Sequence, residues 1–158
     1  MLNTFKFYTL MQRFKGIFMA KKVAGHMAFL SYVRDLDNND GGRISELAKR
    51  LSGEVAVQTG GAFPIFQDRN DIDWGQNWEE VIDESLKSVS FLIPIIAPQF
   101  FNSPACRSEL QAFLEKEKQM GRNDLILPIY YVNTDKIDDE DERDEDDLAK
   151  IIASRQFF

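Results

Sequence analysis

Glu109 is the residue of this chain best placed to do chemistry. It lies in NSPACRSELQAFL, Asn102 to Leu114, where Ser103 suits an N-cap and Pro104 suits the first helical position, because a missing N–H costs nothing there. On the resulting helix Cys106, Leu110, Phe113 and Leu114 follow the i, i+4, i+7, i+8 spacing of a buried stripe. Glu115 to Lys118 then form a charged run expected to turn outward. The helical neighbours of Glu109 are Ala105, Cys106, Ala112 and Phe113, so no lysine or arginine stands where the helix could pair with it. A carboxylate among small and apolar groups suits two roles. It is either a boundary residue of an amphipathic helix, which the helix alone favours, or a charge presented to a cleft.

Other chemistries are poorly supplied. A single histidine, His26, and a single cysteine, Cys106, leave neither a disulfide nor the usual metal-ligand cluster, so no metal is expected and a reducing cytoplasm fits. His26 begins an apolar run, away from any strand-end rim, which removes Ser/His and Cys/His nucleophile pairs; Cys106 reads as core. Neither G-x-G-x-x-G after a strand nor G-x-x-x-x-G-K-[ST] occurs. Asp35, Asp37, Asn39 and Glu46 have EF-hand-like spacing, but Asp40 occupies the position that needs glycine, and a strand rather than a helix leads in.

Charge narrows the partners. The net charge is −7, yet Asn133 to Asp147 alone carries ten acidic and two basic residues, so the rest of the chain is close to neutral. The acidic total argues against nucleic acid, while a near-neutral body leaves room for an anionic small molecule. No apolar run reaches membrane-spanning length, and Lys6, Arg13 and Lys15 break the first twenty residues, so neither a membrane span nor a signal peptide is expected. Residues 1–22 read as an N-terminal extension with a loose helical stripe, and 23–158 as one domain. The abrupt apolar end at Phe157-Phe158 predicts a longer natural protein, with a sensor or effector region beyond residue 158.

The elements that must position Glu109 alternate along the chain. His26 to Val33 reads as a buried strand, Arg34 to Arg43 as a turn-rich loop, and Ile44 to Leu51 as a helix with Ile44, Leu47, Ala48 and Leu51 on one face. Ala62 to Phe66 follows the Thr59-Gly60-Gly61 turn as a second strand, then come the polar loop QDRNDIDWGQN and a helix over Trp78 to Lys87. Val89 to Ala97 is the expected central strand, with a bulge or irregular pairing at Pro94. After the Glu109 helix, ending near Gly121, Leu125 to Val132 forms a fourth strand. The acidic segment is expected to be a solvated loop entering a helix over Leu148 to Ser154. Strand–helix alternation implies right-handed crossovers and a doubly wound parallel sheet with helices on both faces. Ligands bind such sheets beyond the carboxyl ends of the strands, so the loops Ser31 to Gly42, Gln67 to Asn77 and Ala97 to Ala105 should converge above Glu109.

Three stretches carry a family resemblance: FLSY at Phe29 to Tyr32, the loop FQDRNDIDWGQNW, and SPACRSEL. In this order and on these elements, over about Ala24 to Val132, the chain resembles a bacterial TIR domain. The resemblance implies a flavodoxin-like fold and, as in many members, cleavage of NAD+ at its nicotinamide glycosidic bond. Glu109 then matches the catalytic glutamate. Ser31, Tyr32 and Arg34 after the first strand, and Asp68, Arg69, Trp74 and Gly75 in the BB loop, would border the substrate. NAD+ is then a substrate, with no other cofactor. The partners implied are other TIR domains, through self-association, and the setting is a cytoplasmic effector of anti-phage defence. A non-enzymatic TIR adaptor is the alternative. One departure concerns the aromatic that the family commonly carries four residues before the glutamate, which here is Ala105. Trp74, Tyr32 or Phe101 is left to cover the base.

Overall fold

The computed structural model describes residues 28–67 and 90–155. The N-terminal extension, His26, the Trp78 to Lys87 helix and the Phe157-Phe158 end lie outside the described residues. Four strands, β1 (Ala28–Ser31), β2 (Ile65–Phe66), β3 (Phe91–Ile96) and β4 (Ile129–Tyr130), form one sheet in the order β2-β1-β3-β4. All pairings are parallel. Every residue of β3 is buried, as an inner strand covered on both faces requires. The sheet, with its helices, is the doubly wound, flavodoxin-like α/β arrangement. Its order reverses between β1 and β3, because β2 is added on one side of β1 and β3 on the other.

Pro94 has the expected effect on pairing, though without a bulge. On one side β1 pairs with β3 without interruption, as far as Ser31 opposite Pro94. On the other side the ladder splits into an isolated bridge, Leu92 with Ile126, and the pairs Ile95 with Ile129 and Ile96 with Tyr130. Leu92 exchanges backbone hydrogen bonds with Leu125 and Leu127, so alternate residues of β3, Pro94 included, direct their backbone groups toward β4. The missing donor therefore falls in that gap. The partners keep the same offset on both sides of it, so pairing is lost without a change of register.

The helices depart from the sequence reading in three places. Arg34–Asn39 is a helix, α1, rather than part of a loop. The next helix, α2 (Arg43–Thr59), continues two turns past Leu51, through Gly53, and stops at Gly60 in the left-handed conformation. Val55 explains the continuation: it extends the buried stripe of Ile44, Ala48 and Leu51 by another turn, outweighing a glycine penalty of about 1 kcal/mol. The Glu109 helix, α3 (Pro104–Met120), has the expected Ser103 cap and ends at Gly121. The acidic segment is three short helices rather than a loop: α4 (Asp135–Asp138), α5 (Glu140–Asp144) and α6 (Asp147–Ala153). Its carboxylates cap helices. Asp139 accepts from the Glu142 amide, and Asp146 from those of Leu148 and Ala149.

Candidate active site

The carboxyl ends of β1 and β3 meet at the point where the strand order reverses, and a cleft of about 420 Å³ opens there. Its walls include Tyr32, Val33, Arg34 and Asp35 from the end of β1, Gln67 from the end of β2, and Ser103 and Glu109 from α3 and its cap. All three loops expected to converge contribute to it.

α3 sets the position of Glu109. Ser103 accepts from the Cys106 amide at 3.3 Å and fixes the first turn. Arg107 anchors the same turn from outside: it donates to the Phe101 carbonyl at 3.2 Å and in bidentate fashion to Asp146 at 2.5 and 3.3 Å. Cys106, Leu110 and Phe113 then enter the core, and Glu109 is carried inward beside them, only 3% exposed. Its Oε2 accepts a hydrogen bond of 2.7 Å from the Ser31 hydroxyl. A buried carboxylate needs such donors, since an unsatisfied charge in an apolar setting is strongly disfavoured.

The β1–α2 side of the cleft is held by carboxylates of another kind. Gly42, at the N-cap of α2, has no side chain to cap with. Asp37 does so from α1, accepting from the Ile44 and Ser45 amides at 2.8 and 3.2 Å and from the Ser45 hydroxyl at 2.5 Å. The Asp35 to Glu46 stretch, with its EF-hand-like spacing, is thus a helix–turn–helix whose Asp37 is engaged in capping. Asp40 accepts from the Tyr131 hydroxyl, tying the turn to the end of β4. Burial, together with that hydrogen bond, pushes the Tyr131 phenol well above its ordinary value.

Of the residues singled out in the sequence, Glu109, Tyr32 and Arg34 are brought together on one cleft, with Ser31 bonded to Glu109 beneath it. Asp68, Arg69, Trp74 and Gly75 lie outside the described residues. Asp35, Gln67 and Ser103 also line the cleft and were not singled out as site residues. For Asp35 and Gln67 the available signal was adjacency to Arg34 and Asp68. Phe101 does not take the place of the aromatic absent at Ala105: it is buried in the core, edge-on to Phe100 with centroids 5.5 Å apart. Among the described candidates, Tyr32 is the aromatic on the cleft wall that remains for this role.

Comparison with known proteins agrees with the architecture. The solved structure of the activated Roq1 resistosome directly recognizing the pathogen effector XopQ contains TIR domains to which this chain is similar, at 15% identity and a TM-score of 0.55 over 80% of this chain and 67% of that one. At that identity the likeness concerns the fold. A search of the curated proteins finds no match. A family model for the TIR domain matches residues 29–156, which takes in the four described strands except Ala28, α1 to α6 and the whole described cleft. The chain belongs to the TIR domain family.

Proposed function

We propose that this protein cleaves NAD+ between nicotinamide and ribose, with Glu109 as the catalytic carboxylate. The observation that carries this reading is a glutamate side chain almost wholly buried and yet on the wall of an open cleft at the strand-order reversal. Nicotinamide in NAD+ is a cationic leaving group, so it departs with the bonding electron pair and needs no proton. Positive charge develops on the ribose as the bond breaks. A fixed carboxylate offsets that charge, and does so more strongly where apolar neighbours exclude water. Phe29, Leu30 and Val33 supply that apolar surround, while Arg34 is a cation on the same wall suited to the substrate's phosphates. Water capturing the sugar gives ADP-ribose and a proton; capture by an adenine nitrogen gives the cyclic product.

Self-association and a role as a defence effector belong to the same proposal. The similar TIR domains belong to a resistosome, which supports turnover that depends on assembly. The test is release of nicotinamide from NAD+ by concentrated or crowded protein. Wild type is expected to release it, and Glu109→Gln to lose release by about 1,000-fold or more while remaining folded. Turnover retained in Glu109→Gln overturns the assignment. If neither form turns over even when forced to cluster, the protein acts instead as a non-enzymatic TIR adaptor.

A further inference from the structure

The hydrogen bond beneath the cleft joins residues far apart in the chain, and both of its side chains are buried. Ser31 is 1% exposed and Glu109 3%. Ser31 is the last residue of β1, in register opposite Pro94 of β3, so its hydroxyl cannot move along the strand without breaking sheet pairing. Glu109 is less constrained by its own element. The final torsion of a glutamate is broad and roughly two-fold, so a helix fixes where the side chain starts but not the plane of its carboxylate. A hydrogen bond of 2.7 Å from a fixed hydroxyl restricts that plane.

Building on the glycohydrolase reading, we propose that Ser31 is a positioning residue, which orients the Glu109 carboxylate and favours its ionised form, rather than a residue that contacts the substrate. Among the described residues, the titratable groups sharing the cleft wall with Glu109 are Tyr32, Arg34 and Asp35. Its neighbours on α3 are Cys106, in the core, and Arg107, bonded to Asp146. A substitution at Ser31 leaves all of these in place, so a comparison with wild type isolates the hydroxyl.

The experiment compares wild type with Ser31→Ala and Ser31→Thr. Positioning predicts that kcat for nicotinamide release falls about 10- to 100-fold in Ser31→Ala while KM stays within about threefold, and that Ser31→Thr, which keeps a hydroxyl, recovers most of the loss. Undiminished kcat in Ser31→Ala overturns the proposal. So does a raised KM at constant kcat, the signature of a substrate contact. A second measurement needs no turnover: NMR titration of the glutamate carboxyl carbons, with Glu109→Gln identifying the Glu109 signal. Losing a hydrogen bond to the ionised form should move the Glu109 midpoint to higher pH in Ser31→Ala, and an unchanged midpoint overturns the proposal. If wild type releases no nicotinamide the glycohydrolase reading fails, and the titration alone decides whether Ser31 holds the carboxylate.

Discussion

α3 buries two glutamates about two turns apart, each 3% exposed, and gives them different work. Glu117 is bound into the fold. It accepts from the Leu125 and Ile126 amides at 2.8 and 3.2 Å and from both terminal nitrogens of Arg155 at 3.0 and 2.6 Å. It thereby ties the segment entering β4, and the residue just after α6, to the back of α3. Glu109 accepts a hydrogen bond from a neutral hydroxyl and stands on a cleft wall. Burial of a carboxylate is therefore no mark of a site. Access to a cleft separates a charge available for chemistry from one committed to holding chain segments together.

The two positions should fail in opposite ways. Glu109→Gln carries the largest expected effect, loss of nicotinamide release with a thermal midpoint close to wild type; a large drop in that midpoint would make Glu109 a second structural carboxylate. Glu117→Ala should do the reverse. It leaves a partly buried guanidinium and two buried amides without their acceptor, at a cost of about 3 kcal/mol, measurable by urea denaturation. Near-normal stability there would remove the contrast.

Smaller effects concern how α3 is held. Arg107→Ala removes the bidentate contact to Asp146 and the bond to the Phe101 carbonyl, for an expected loss of about 1–2 kcal/mol at neutral pH. This loss should depend on pH. Burial raises the Asp146 carboxyl, but the Arg107 hydrogen bond and charge, with the Ala149 and Leu148 amides, outweigh it and hold the group below its ordinary value. A carboxyl depressed in the folded state stabilises above its unfolded pKa, and that stability is lost as pH falls through the folded value. The gap between wild type and Arg107→Ala should thus narrow below about pH 4. A gap that stays constant through acid would assign the effect to packing. Gly121→Ala, at a φ of 61° with open space around a new Cβ, should cost about 1 kcal/mol through backbone strain alone and leave the cleft chemistry unchanged.

The parts legible in the sequence are those set by local patterns. Ser103-Pro104 and Gly121 give both ends of α3, the apolar runs give the strands, and their alternation with helices gives a parallel sheet with its cleft at the strand ends. Partners separated by a crossover were not legible. Glu117 sits inside a charged run that reads as outward-facing, and only the return of the chain past Leu125 and on to Arg155 turns it into a buried anchor. Asp37 reads as a loop carboxylate, because the amides it caps are seven and eight residues away, beyond the reach of a cap motif.

Sequence by itself determined that this chain builds a doubly wound sheet and carries a glutamate with no helical ion-pair partner near its rim, since residue type and spacing suffice for both. Tertiary structure alone decided which of the two buried glutamates of α3 faces the cleft and that the hydroxyl ending β1 holds it. Those facts depend on strand order and register, which bring Ser31 and Glu109 together across 78 positions of sequence.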